Sequence, residues 1–287
     1  MTEMFRRYPQ FERSATNSKL GWQSMTPMGS ASWARTDVVS RSTTAASALP
    51  TSWLDLFQKA SPRSADGHPD LSGFWGTATG GYFSDPAMGL KPGEVQLTPW
   101  AAAIRKLRMD RNHVDDPYGY CLPLGVPRIN FRSPFKIVQT PQLTVFLHET
   151  YSGNTFRQVF ADGRPLPNWR DAEPTWLGYS VGRWDGDTFV VDTTGFRDRG
   201  WLNNTGAYPH SDALHVTERF RRADLGHMEL TVTIDDPKAY VKPWTNKMAL
   251  LLQADTEILE AFCDNQMTIL SHWKIDPPPV EPPSPRD

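Results

Sequence analysis

The chain of 287 residues carries 30 Lys and Arg against 32 Asp and Glu, a formal charge of −2, and 11% of its residues are aromatic. This balance lacks the basic run of a nucleic-acid-binding surface, and no apolar window is long enough to cross a membrane. Two cysteines, Cys121 and Cys263, exclude a disulfide-rich scaffold and lack the C-x-x-C spacing of a zinc site.

A single disulfide in an exported chain and two buried thiols are equal readings of that cysteine pair. Arg6-Arg7 is not followed by the apolar stretch of a secretion signal, so the expected location is the cytoplasm. Residues 1–65 are rich in Ser, Thr and Arg and show no sustained periodicity beyond a short amphipathic turn at 52–59. They are expected to form a polar N-terminal arm which, exchanged between copies, would build a homodimer. Residues 70–79 read as the first strand. Their Gly73-Phe74-Trp75 resembles the opening G-x-W of lipocalins, in which the Trp closes one end of a barrel.

The spacing predicts one short helix over 98–112, with Thr98 as N-cap, Pro99 in the first position and Trp100, Ile104 and Leu107 on one stripe. Arg105, Arg108 and Arg111 occupy the opposite face and are expected in solvent. Residues 115–132, rich in Pro and Gly, read as an ordered loop.

From Pro134 onward, short strands separated by turns indicate antiparallel β structure. Strand 135–139 pairs with 143–151, which turns at Ser152-Gly153 into 155–160. That turn sets Val145 opposite Phe160 and Glu149 opposite Phe156, so Glu149 extends the row of Leu143, Val145 and Leu147. Asp185-Gly186 joins strands 176–184 and 187–194, placing Tyr179 opposite Asp192. Gly178, Ser180 and Gly182 alternate on one face, making either room for a ligand or a site for curvature under Phe189.

The best-defined unit is the hairpin of strands 213–223 and 227–234, closed by Asp224-Leu225-Gly226. Its register sets Phe220 against Leu230, Val216 against Ile234, Thr217 against Thr233, Arg221 against Glu229 and His215 against Asp235. One face is then Val216, Phe220, Met228, Leu230, Val232 and Ile234, interrupted by Glu218. A last hairpin is expected from 247–253 and 256–263, followed by an extended proline-rich tail at 276–287. The fold expected is all-β: an antiparallel up-and-down, lipocalin-like barrel over 66–275 as a single domain, with a two-sheet sandwich as the alternative.

Four phrases, PDLSGFW (69–75), TWLGYSVGRWDGDTFVVDTTGF (175–196), HSDALHVTERF (210–220) and DDPKAYVKPW (235–244), resemble a family of bacterial β-rich proteins. The likeness covers residues 61–265 and implies one β-rich domain. Family members usually begin with a secretion signal directly before the PDLSG phrase, where this chain has its polar arm. No established activity attaches to the family, so the resemblance transfers no catalytic residue.

A carboxylate among apolar side chains is costly unless paired, and it can exchange protons near neutral pH. Glu218 is therefore the first candidate acid or base, with Tyr179 or His210 as partner, Asp192 beside Tyr179, and Glu149 and His148 as further members. The competing structural reading pairs Glu218 or Glu149 with an inward Arg157, Arg183 or Arg219. His210, Asp212, His215 and Glu218 are all metal-ligand types, but residues 215 and 218 face opposite sides of a strand. No G-x-S-x-G elbow supports Ser211 as a nucleophile, and no phosphate-binding glycine loop suggests a nucleotide cofactor. The leading expectation is a cofactor-independent lyase, isomerase or hydratase acting on a bulky hydrophobic or aromatic small molecule. The alternatives are a binding protein whose carboxylates are all paired with arginines, and a metal-assisted enzyme using His210 and His215.

Overall fold

Nine strands with alternating inward and outward side chains close on themselves in the computed structural model, which describes residues 59–78, 85–150, 156–168, 170, 173–261, 263 and 281–285. They are β1 Gly73–Thr77, β2 Phe135–Gln139, β3 Leu143–His148, β4 Phe156–Phe160 and β5 Tyr179–Asp185, then β6 Thr188–Thr194, β7 His215–Arg222, β8 His227–Asp235 and β9 Trp244–Leu252. Closure excludes the sandwich. Residues 1–58 of the expected N-terminal arm, with nearly all of the turn expected at 52–59, lie outside the described residues. Among the described residues no helix is long and apolar enough to cross a membrane.

The last strand does not form the expected hairpin with 256–263. Residues 256–261 are irregular, and β9 instead pairs with β1 through Trp75–Leu252 and Thr77–Leu250. That contact is antiparallel. Nine strands that simply alternated direction would meet in parallel at the closure. The parallel pairing falls instead between β4 and β5, which share only the Val159–Ser180 and Phe160–Val181 pairs. The barrel is thus up-and-down except at this seam, where the connection over 161–178 returns the chain to its starting end.

The β7–β8 register follows the turn chemistry, with Val216–Ile234, Thr217–Thr233 and Phe220–Leu230 among its pairs. Val216, Phe220, Met228, Leu230, Val232 and Ile234 are all buried as the inward row. Two other hairpins are displaced by two residues from expectation. Leu143, not Val145, pairs with Phe160, and Tyr179 pairs with Thr194, not Asp192. At the second of these the two-residue turn is Gly186-Asp187, between the paired Asp185 and Thr188, and Gly186 takes φ 59°. An even displacement leaves every side chain on its original face, since strand side chains repeat with period two.

Trp75 sits fully buried at one end of the interior, its Nε1 donating to Leu71 O at 2.9 Å. The Arg222 guanidinium lies 4.9 Å from its ring and donates to the carbonyls of Asp70, Asp224 and Leu225. Helix α1, Pro99–Asp110, starts at Thr98, whose Oγ1 accepts from Ala101 N at 3.3 Å. Its arginine face is not solvated as expected. Arg108 is buried with its guanidinium 4.6 Å from the Trp201 ring, and Arg105 donates to Gly206 O while lying 5.0 Å from Tyr208. The 196–210 connection docks on that face because cationic forks and aromatic rings complement each other. Within the loop expected at 115–132, Pro117–Tyr120 forms a 3-10 turn and Arg128–Arg132 a short helix, α2. Cys121 and Cys263 form a disulfide.

Candidate functional site

Glu218 is fully buried and faces the barrel interior from the middle of β7. Its Oε1 accepts from Asn130 Nδ2 at 2.5 Å and its Oε2 from Arg157 Nη2 at 2.6 Å. Arg157 belongs to the inward row of β4; its Nε donates to Ser180 Oγ at 3.0 Å and its Nη2 also to Thr193 Oγ1 at 2.7 Å. Five elements therefore meet at one polar knot: α2 supplies Asn130, β4 Arg157, β5 and β6 the hydroxyls, and β7 the carboxylate. The guanidinium lies 5.7 Å from the Phe146 ring.

His148 ends the same inward row of β3 that carries Phe146, stacked near-parallel to it at 6.3 Å and tilted against Phe135 at 5.4 Å. Burial, reinforced by the nearby Arg157 charge, pushes its pKa down to about 3. The ring is thus neutral at physiological pH. Both of its nitrogens, together with Arg157 Nη1 and Asn130 Oδ1, lack a hydrogen-bond partner among the described residues. Buried polar atoms without partners are uncommon and costly in native proteins.

Asp192, one residue along from the rung that pairs Val191 with Glu218, points to the other face. Its Oδ1 accepts from Thr217 Oγ1 at 2.7 Å and lies 3.0 Å from His215 Nε2, while its Oδ2 accepts from Arg183. The bond from His215, followed by those from Arg183 and Thr217, holds its carboxyl well below the usual carboxylate range against the opposing effect of burial. Tyr179 is also on the outer face, where its hydroxyl accepts from Arg164 Nη1 at 2.9 Å. Glu149 continues the Leu143–Val145–Leu147 row as expected, but that row faces outward, and Glu149 accepts from Leu259 N at 3.0 Å. The expected convergence of Glu149, Tyr179 and Asp192 on Glu218 does not occur.

His210 is buried in the connection before β7, its Nδ1 3.0 Å from Ser211 O and its ring packed against Gly200, where a Cβ would lie 2.2 Å from Nε2. Burial lowers its pKa. Ser211 is not poised as a nucleophile. Its N and Oγ both donate to Asp236, at 2.6 and 2.7 Å, and Asp236 also accepts from Lys238 N and Ala239 N. This staple joins the two phrases HSDALH and DDPKAY. His215 stands on the outer face with Asp192, apart from His210. Among the described residues no group of three or more His, Cys, Asp and Glu side chains is arranged to hold a metal ion.

A cleft of about 390 Å³ opens where β4 and β5 diverge beyond their two paired residues. Phe156, Phe160, Trp176 and Tyr179 supply its aromatic walls, and Arg197 lies at its edge. Arg157 and Ser180, members of the buried knot, also line it. Sequence reasoning named Arg157 as a structural alternative but gave no signal for Asn130, whose loop-like composition hides a one-turn helix. Trp176 and Arg197 were likewise unmarked, because only the parallel seam sets them beside Arg157.

Comparison with known proteins yields no match: no family model, no curated protein and no solved structure matches this chain.

Proposed function

We propose that the protein is a small-molecule binding barrel whose ligand is an apolar-bodied anion seated in the β4–β5 seam, its charged end toward Arg197. The observation that carries this reading is the make-up of the cleft, in which aromatic walls stand beside the exposed Arg197 and Arg157 is held behind them by Glu218. Aromatic walls around a few fixed polar groups are the usual composition of a small-molecule site, and a guanidinium fork suits a carboxylate or sulfonate. Arg197 is exposed and makes no ion pair among the described residues.

Acid–base turnover, the leading expectation from the sequence, has weaker support. Both Glu218 oxygens are already taken by donors, and a neutral His148 with a pKa near 3 is a poor proton acceptor at pH 7. The two groups suit fixed hydrogen bonding better than proton transfer. The Cys121–Cys263 bond supports an oxidising compartment in place of the cytoplasm.

The test is titration with anilinonaphthalene sulfonate and with a panel of aromatic and fatty carboxylates, followed by fluorescence and thermal protection. Saturable binding is expected, weakened about tenfold in Arg197→Gln and in Phe156→Ala, both surface changes. Absence of saturable binding and of thermal protection across the panel would sink the reading.

A further inference from the structure

Within the proline-rich tail, residues 281–285 are described, and the first two of them contact α1. Glu281 reaches back to α1, where its two carboxylate oxygens accept from Arg108 Nε at 2.7 Å and Nη2 at 2.9 Å. The Arg108 side chain is only 2% exposed and that of Glu281 is 32% exposed, so a two-pronged pair caps a buried guanidinium from the solvent side, with Trp201 against the guanidinium. One residue on, Pro282 O accepts from Trp100 Nε1 at 3.3 Å. Glu281, Pro282 and Pro283 then form one wall of a cleft of about 590 Å³, opposite Trp176, Trp201 and Tyr120.

Each part of this contact has a specific chemical meaning. A buried guanidinium needs a carboxylate, because leaving it unpaired is strongly unfavourable. An indole N–H donating to a proline carbonyl, beside further aromatic rings, is the way grooves hold extended proline-rich segments, whose stiffness lowers the entropy lost on docking. The resident sequence, PPPVEPPSP over 277–285, supplies one acid flanked by prolines on both sides.

We propose that the α1 face bearing Trp100 and Arg108, with Trp201 beneath, is a receptor for acidic, proline-flanked segments, filled in cis by residues 281–283. When the tail leaves, the groove takes the same kind of segment from another chain. This site uses none of the residues altered to test the seam cleft, so the two proposals fail separately.

The experiment uses the full chain with Glu281→Lys, which repels Arg108 and frees the groove, and a fluorescent peptide of sequence PPPVEPPSP followed by anisotropy. The peptide should bind the variant saturably and at least about tenfold more tightly than the wild type, where the tethered tail competes at high effective concentration. Binding should vanish when the peptide's Glu is changed to Lys, and fall when its flanking prolines are changed to Ala. If Glu281→Lys melts well below the wild type, Glu281→Gln takes its place in the same titration. No saturable binding to the folded variant would overturn the proposal, as would equal binding of the charge-reversed peptide or equal binding to the wild type.

Discussion

Glu218 and Asp192 lie on adjacent strands one rung apart, and each is held by an arginine. They face opposite sides of the sheet. Glu218 is fully buried with its partner Arg157, whereas the Arg183 side chain on Asp192 is 61% exposed. The same ion pair therefore has two different energetic roles. Inside the barrel both charges have lost water, so the pair is as costly to break as it was to bury. Outside, solvent screens the attraction, and the bond from His215 outweighs that from Arg183.

The comparison is broken most directly at Arg157. Arg157→Met strands a buried carboxylate and should destabilise the fold by about 3–5 kcal/mol in chemical denaturation. The double variant Arg157→Met, Glu218→Met should recover most of that loss, since replacing both charges by apolar groups is often neutral. Additive losses would show that Glu218 does not depend on Arg157.

His148 sharpens the interior side through pH. Its folded pKa is lowered to about 3, so it stays neutral in the barrel while the unfolded chain takes up a proton near pH 6.5. Its contribution is complete above that value and is lost as pH falls toward about 3, with a slope of about 1.4 kcal/mol per pH unit. Between pH 6.5 and 5 the loss is about 2 kcal/mol. His148→Phe should remove this share of the slope, leaving that of His210, whose pKa is lowered in the same direction. An unchanged slope would place a partner on the ring that keeps it charged.

How little spare room the inner face has can be tested at Gly182. A Cβ there would lie 2.4 Å from Phe189 and 2.9 Å from Val159, so Phe189 covers the glycine and leaves no room for a ligand at that place. Gly182→Ala should cost roughly 2 kcal/mol by overpacking. The outer carboxylate gives the smallest effect. Asp192→Asn should cost about 1 kcal/mol. Because its pKa is depressed, Asp192 contributes stability above the ordinary carboxylate value near 4 that fades as pH falls. The variant should therefore flatten the acid limb; a loss as large as that of Arg157→Met would erase the distinction between the faces.

Much of the fold was legible in the chain. The β7–β8 hairpin could be read to the residue because a three-residue turn ending in Gly226 leaves one register that keeps Phe220 and Leu230 on the same side. Glu218 stood out there because it alone interrupts an apolar row. At β4 the pattern misled: Phe156 and Phe160 face outward while Arg157 points in, so hydrophobicity named the wrong face. Only the helical turn that carries Asn130 and the seam beside β5 explain that inversion.

Apart from the expected strand at 256–263, which does not form, the sequence by itself determined the strands, their alternation and which residues share a face, because those depend on period two and on local turn chemistry. An even slip, as at Tyr179 and at Leu143, leaves such information intact. Tertiary structure alone decided which faces look inward, where the parallel seam falls and which distant charges meet. Those are properties of closure: joining β9 to β1 sets every strand's inward side at once. It brings Arg157 to Glu218 across 61 residues, a meeting no local pattern encodes.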